Sequence, residues 1–224
     1  MAGIFKAYDV RGIYPDELDE RIARAIGRSF PCLLTADEIS AGDPVVVSRD
    51  MRAHSVPLSE ALIGGLLEAG LDVLDVGLAT TPMNYFAVGH LGAVGGIQVT
   101  ASHNPARYNG FKLSRSDARP VSGDHGIPLL ERTVAEGSWK LAASRGELSQ
   151  GEILEEYGRH VLSFLEPDPG GRRLKVAVDA ANGMGTIYRP LLERTRIELV
   201  PLYFELDGTF PNHPASPIEP DTND

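Results

Sequence analysis

Hydrophobic positions along the chain change their spacing repeatedly, and each change marks an element. "DPVVVSRD" (43–50) is a continuous apolar run bounded by turn-forming and charged residues, the pattern of a strand buried on both faces. From Pro57 the period lengthens: Leu58, Ala61, Leu62, Leu66 and Ala69 share one helical face. Pro57 suits the first turn of that helix and Gly70 its C-terminal stop. "LDVLDVG" (71–77) predicts a second strand, and "TTPMNYFAVGHL" (80–91) a second helix capped by Thr80 or Thr81. "AVGGIQVTAS" (93–102) predicts a third strand that ends on a serine. Strand–helix–strand–helix–strand order implies an α/β sheet covered by helices. Ligand sites in such folds lie in loops leaving strand ends, and Ser102 occupies such a loop.

The pattern restarts further on. Ile153, Tyr157, Val161 and Leu165 mark one face of a helix, which runs into "EPDPGGRR" (166–173), a stretch with the Pro, Gly and charge of a linker. Beyond it, "LKVAVDA" reads as a strand, "GMGTIYRPLLER" as a tight turn into a helix, and "IELVPLYF" as another strand. The remaining "LDGTFPNHPASPIEPDTND" is turn-rich and supplies no further core element. The expected organisation is a domain over residues 1–165, a linker at 166–173, and an incomplete second α/β domain from 174 to 224.

Composition narrows the partners. Apolar content of 42% and charged content of 23% over 224 residues are ordinary for a globular protein. A formal net charge of −10 weighs against nucleic acid or an anionic membrane, both of which reward clustered Lys and Arg. A locally basic pocket for a small anion stays compatible with it. Cys32, the single cysteine, fits a reducing cytoplasm, and neither a signal peptide nor a membrane-length apolar run is present in the sequence.

The candidate chemistry sits in "QVTASHNPARYNGFKLS" (98–114). A serine hydroxyl needs a base or a prior activation to act as nucleophile. His103 is adjacent, yet neighbours on an extended chain point to opposite sides, and the G-x-S-x-G elbow of serine hydrolases is absent. Pro105 stiffens the loop, and Asn109-Gly110 predicts a tight turn that sends Lys112 back toward Ser102. Ser102, His103 and Lys112 around one point suit an anionic group better than an acyl group. Taken without context, Arg11 reads as a solvated turn charge, and Arg49, Asp50 and Arg52 read as a structural ion-pair cluster. Gly183-Met184-Gly185 lacks the rest of a dinucleotide fingerprint, His54 has no evident partner, and His90, His125, His160 and His213 lack metal-ligand spacing.

"TASHNPARYNGFK" closely resembles the phosphoserine loop of the α-D-phosphohexomutases, the phosphomannomutases and phosphoglucomutases. "IFKAYDVRG", "VVVSRDMRAHS", "DVGLATTPMNYFA", "VAVDAANGMG" and "PLYFELDGTFPNHPASP" resemble further segments of that family, in the right order. The resemblance implies a three-layer α/β/α mixed-sheet domain followed by the beginning of a second. It implies reversible phosphoryl transfer between hexose 6-phosphate and hexose 1-phosphate, through phosphoserine at Ser102 and a hexose 1,6-bisphosphate. His103 and Lys112 match residues that contact substrate and assist proton movement, Arg11 an arginine near the phosphoserine, Tyr8 a cleft-edge residue, and Asn104 a loop-shaping position. The family's Mg²⁺ would reach this chain through the phosphate on Ser102, because its D-G-D-G-D-R loop is missing. Glucose 1,6-bisphosphate is the implied activator, and a cytoplasmic monomer or homodimer the implied state of the longer enzyme. These absences make the chain an N-terminal portion, expected to be inactive by itself. "KAYDVRG" and "YNGFK" look like the phosphomannomutase/phosphoglucomutase branch rather than the phosphoglucosamine mutases. A non-catalytic scaffold retaining this fold, and a serine hydrolase, are the other function classes.

Overall fold

Alternation of side chains along the central strand decides how the layers form. In the computed structural model, which describes residues 3–40, 42–165 and 172–216, Val45 and Val47 enter one apolar core and Val46 another on the opposite face. Both faces are therefore covered, as the unbroken apolar run requires.

The chain runs β1 (Val10–Ile13), α1 (Glu20–Ser29), α2 (Ala36–Ser40), β2 (Val45–Arg49), α3 (Ser55–Glu68), β3 (Val73–Leu78), α4 (Thr81–Leu91), β4 (Gly95–Val99), β5 (Tyr108–Arg115), α5 (Ile127–Glu136), β6 (Leu148–Gln150) and α6 (Leu154–Leu162). It continues with β7 (Lys175–Asp179), a 3-10 turn at Met184–Tyr188, α7 (Arg189–Leu192) and β8 (Glu198–Leu202). The first six strands form one sheet in the order β1-β5-β4-β2-β3-β6. β2 is parallel to β3 and β4, β3 is parallel to β6, and β5 runs antiparallel to both β4 and β1. The sheet is mixed, as the resemblance implies.

On one face, α1, α3 and α5 contribute Ile26, Leu62, Leu66 and Leu130 to the larger core. Gly27 and Gly65 let α1 and α3 cross at main-chain contact, since a Cβ at Gly65 would strike the Arg24 carbonyl. Glu68 clamps that crossing through Arg24 and Arg28, each at 2.7 Å. On the other face, α4 supplies Met83, Ala87 and Val88, with Ile153 at the start of α6. Three layers result.

β7 and β8 make a separate parallel pair joined through the 3-10 turn and α7. This pair meets the larger unit where Tyr188 bonds Thr80, where Arg194 reaches Glu155 at 3.1 Å, and where Phe210 covers Arg52. Most of the expected linker, residues 166–171, lies outside the described residues. Among the described residues no helix is long and apolar enough to cross a membrane.

Candidate active site

β4 ends at Val99, and the chain reverses over residues 100–107 before returning as β5, with Gln98 opposite Lys112. The strand expected through Ser102 is thus shorter, and Asn109-Gly110 lies inside β5 rather than in a turn. The physical reason is a close strand approach. A Cβ at Gly110 would collide with the Val10 carbonyl of β1. The buried Asn109 amide donates to Ser55 Oγ and to His54 Nδ1, both at 2.8 Å, and its oxygen accepts from Gly110 N. His54, without an evident partner in the sequence, also stacks on Tyr14 and donates from Nε2 to the Ala106 carbonyl at 2.9 Å. With Nδ1 accepting from Asn109, the proton is on Nε2.

Ser102 adopts φ 57, a left-handed conformation that costs a side-chain-bearing residue about 1 kcal/mol. Its amide donates to Thr100 Oγ1 at 3.0 Å. Its Oγ is exposed and lies 3.3 Å from His103 Nδ1. The opposite-sides rule for neighbours fails here because it holds for extended backbone, and Ser102 is not extended. Asn104 closes the turn through its main-chain and side-chain nitrogens, both donating to the Ala101 carbonyl.

Under the loop lies Arg52, 1% exposed. Its Nη atoms donate to the carbonyls of Ser102 (3.1 Å), Asn104 (2.7 Å), Pro105 (2.8 Å) and Tyr108 (3.1 Å). Its Nε faces Asp50 at 3.2 Å. Burial pushes the Arg52 pKa down, opposed by the attraction of Asp50. Asp50 in turn accepts from Ser55 Oγ at 2.5 Å and from Thr100 Oγ1 at 2.7 Å. Asp50 and Arg52 form the expected pair, and Arg49 makes no ion pair among the described residues.

A cleft of about 530 Å³ opens above this support. Ser102, His103 and Lys112 line it together with the N-terminus of α4 (Thr81, Pro82) and its cap Thr80. The opposite wall comes from Ala180, Ala181, Gly183, Met184 and Phe210. Its floor is fixed by a buried polar chain: Asn84 donates to Ser48 (2.7 Å), Ser48 to Gln98 (2.5 Å), and Gln98 to the Ala79 carbonyl (2.9 Å). Tyr188, whose phenol burial pushes up to about 12, bonds the cap Thr80 from the second unit.

Arg11, Tyr8 and Asn104 line a neighbouring hollow of about 570 Å³ instead. The two are joined by Asp9, a buried carboxylate that pairs with Arg11 and stands 3.7 Å from Lys112 Nζ. Sequence reading passed over Asp9. The signal available was its place in "YDVRG", where the register pairing Val10 with Phe111 carries Asp9 toward Lys112. The second unit's turn is made by Ala181 and Asn182 at positive φ rather than by Gly183 or Gly185. His213 faces Asp179 at 3.1 Å.

No group of three or more His, Cys, Asp or Glu that could hold a metal ion occurs among the described residues. Asp50 is the acid lining the cleft, and both its oxygens already accept from Arg52, Ser55 and Thr100. These residues do not fit Mg²⁺ by themselves, since that ion takes near-octahedral oxygen ligands and a phosphate on Ser102 would add only part of a shell.

The family model described as phosphoglucomutase/phosphomannomutase, alpha/beta/alpha domain I, matches residues 2–140. A phosphomannomutase of Escherichia coli is 41% identical over 225 aligned positions, covering 97% of this chain and 48% of that protein. A phosphomannomutase of Vibrio cholerae is 39% identical over 223 positions, with the same coverage. The crystal structure of a phosphoglucomutase/phosphomannomutase family protein from Burkholderia thailandensis superposes with a TM-score of 0.81 at 37% identity, covering 97% of this chain and 47% of that one. The chain spans about half the length of the curated relatives it matches. With the mixed three-layer sheet, the serine loop and this family match all falling on the same residues, the chain belongs to the phosphoglucomutase/phosphomannomutase family.

Proposed function

We propose that this chain carries the phosphoryl-accepting serine of a hexose phosphate mutase, with Ser102 as the carrier. The supporting observation is Ser102 itself: a left-handed residue held by its own carbonyl, its exposed hydroxyl beside His103 and lining a cleft that contains Lys112. In the forward step the Ser102 Oγ–P bond breaks and a bond forms between phosphorus and a hydroxyl of hexose 6-phosphate. The sugar hydroxyl loses its proton and Oγ gains one. The hexose 1,6-bisphosphate turns over, its other phosphate returns to Ser102, and hexose 1-phosphate leaves.

Each group near Ser102 has a part in that exchange. The transferred phosphoryl group spreads negative charge over its oxygens, so positioning and cationic stabilisation carry the catalysis. Lys112 supplies the cation, oriented by Asp9. His103, at hydrogen-bond reach of Oγ, is the group placed to exchange the proton there. The N-terminus of α4, whose Met83 and Asn84 N–H groups are taken by the cap Thr80 and whose Pro82 has none, adds the positive end of the helix dipole, which favours an anion. Arg11 and Tyr8, in the adjoining hollow, engage the substrate from the side of β1. Residues 1–165 form the serine-bearing domain, and residues from 174 onward supply the facing wall. Mg²⁺, if held in part through a phosphate on Ser102, would supply charge neutralisation there, and no step above is routed through it.

The test is phosphoryl uptake from glucose 1,6-bisphosphate, followed by intact mass and peptide mapping of the full gene product and of its Ser102→Ala variant. One phosphate on Ser102, absent from the variant, is the expected result. A full gene product that accepts none points to the scaffold alternative, and labelling of Ser102 by a fluorophosphonate points to a hydrolase.

A further inference from the structure

Arg52 has no part in the chemistry proposed above, yet every donor it owns is directed. A guanidinium carries five N–H groups. Here one faces Asp50, and the other four meet the carbonyls of Ser102, Asn104, Pro105 and Tyr108. Four carbonyl oxygens turned toward one point would repel each other and lie unsatisfied without a cation among them. The loop's other bonds are Ser102 N to Thr100 Oγ1, Ser102 Oγ to His103 Nδ1, Asn104 to Ala101 and Tyr108 N to the Pro105 carbonyl, with His54 at the Ala106 carbonyl and Tyr14 N at the Arg107 carbonyl. Arg52, fifty residues before Ser102 in sequence, thus binds more of the loop's carbonyls than any other side chain.

A second contact lies on the face of that guanidinium. The Phe210 ring covers Arg52, with Cζ 5.1 Å from the ring centroid. The main chain of the same segment also comes close: a Cβ on Gly208 would stand 2.8 Å from Arg52 Cα. Gly208 and Phe210 thus pack on Arg52 while its donors hold the serine loop. Excluding water from a cation strengthens the hydrogen bonds it donates.

We propose that Arg52 is a positioning residue for phosphoryl transfer, fixing the direction of Ser102 Oγ through the loop carbonyls, and that Phe210 acts as its cover. Docking of the Phe210 segment dries the guanidinium and tightens the loop, so the second unit sets the readiness of a serine it does not touch. Lysine is no substitute: its three donors lack the planar fork that reaches separate acceptors. The catalytic part of this inference rests on the proposed role of Ser102, whereas the loop-holding part stands apart from it.

Both parts are tested with Arg52→Lys, Phe210→Ala and Phe210→Leu in the full gene product. Amide exchange over residues 101–108 reads the loop, with β2 and β4 as internal references. Phosphoryl uptake from glucose 1,6-bisphosphate, at varied concentration, reads the serine. In Arg52→Lys and Phe210→Ala, loop exchange should rise about tenfold or more with the reference strands unchanged. The uptake rate at saturating donor should fall about tenfold or more, with half-saturation within about twofold of the parent. Phe210→Leu, which keeps an apolar cover, should restore most of both. Unaltered loop exchange, or a loss confined to half-saturation, would overturn the proposal. If Arg52→Lys does not fold, Phe210→Ala decides on the same criteria. If the parental full gene product accepts no phosphate, the assignment of Ser102 fails while the exchange measurement still judges Arg52.

Discussion

The carboxylate of Asp9 stands 3.7 Å from the ammonium of Lys112 and also receives the guanidinium of Arg11. One buried acid thus sets the position of two cations on neighbouring strands, each opening into a different hollow. Asp9→Asn keeps the shape and removes the charge. It should lower stability by about 1–3 kcal/mol, because two partly buried cations lose their counter-charge. Phosphoryl uptake at Ser102 should slow by about tenfold as Lys112 loses its orientation. Denaturant unfolding and the uptake assay check the two effects separately, and uptake at the parental rate would exclude Asp9 from the site.

Ser102 holds a left-handed backbone that glycine adopts freely and alanine does not. Ser102→Gly and Ser102→Ala both delete the hydroxyl, so their difference isolates the backbone. The glycine variant should be the more stable of the two by about 1 kcal/mol in thermal or urea unfolding. Neither should accept phosphate. Equal stabilities would mean that the loop relaxes when the side chain goes.

Gly110 answers to a different constraint, the carbonyl of Val10 lying against its α-carbon. Gly110→Ala must push β1 away from β5, which also shifts the strand that carries Arg11 and the residue beside Asp9. We expect a loss of about 2–3 kcal/mol, of the size seen for overpacking. Uptake of phosphate should decline with it. A stability within experimental error of the parent would show that the two strands are looser than the contact implies.

His213 donates toward the Pro214 carbonyl at 2.9 Å and faces Asp179 at 3.1 Å. The Pro214 carbonyl first, and then the Asp179 carboxylate, raise its pKa above the ordinary value of 6.5, against partial desolvation. A raised folded-state pKa adds stability that is complete below the unfolded value and fades as pH climbs through the folded one. The segment around His213 should therefore be better protected from amide exchange at pH 6 than at pH 8, after correction for intrinsic rates. In His213→Gln that difference should vanish. A pH response that survives the substitution would assign it to another group.

Much of this arrangement is legible in the chain. β2, β3 and β4 are apolar runs between turn residues, and α3 and α4 announce themselves by periodicity, with Thr80 as the cap of α4. The same pattern passes over α1, α5 and β6. α1 carries a usable signal, a capping Asp19 ahead of Ala23 and Ile26, whereas the three residues of β6 are all exposed and carry none. Lys112 facing Ser102 follows from the β4–β5 hairpin even though the turn was misplaced, because Asn-Gly serves strand contact as readily as it serves a bend. The meaning of Arg52 and His54 was out of reach for another reason. Beyond Asp50, Asn109 and Tyr14, their partners are main-chain oxygens 50 to 56 residues away, and a carbonyl has no letter in the sequence.

That last point carries a consequence for how freely the loop can vary. Arg52 holds atoms that every amino acid possesses, so its grip on the carbonyls of residues 102, 104, 105 and 108 does not depend on the side chains of Ala106 and Arg107. Exchange of Ala106 or Arg107 should leave those four bonds in place. Variation at the two positions is thereby uncoupled from what holds the Ser102 carbonyl, and selection can remodel the one while leaving the other untouched.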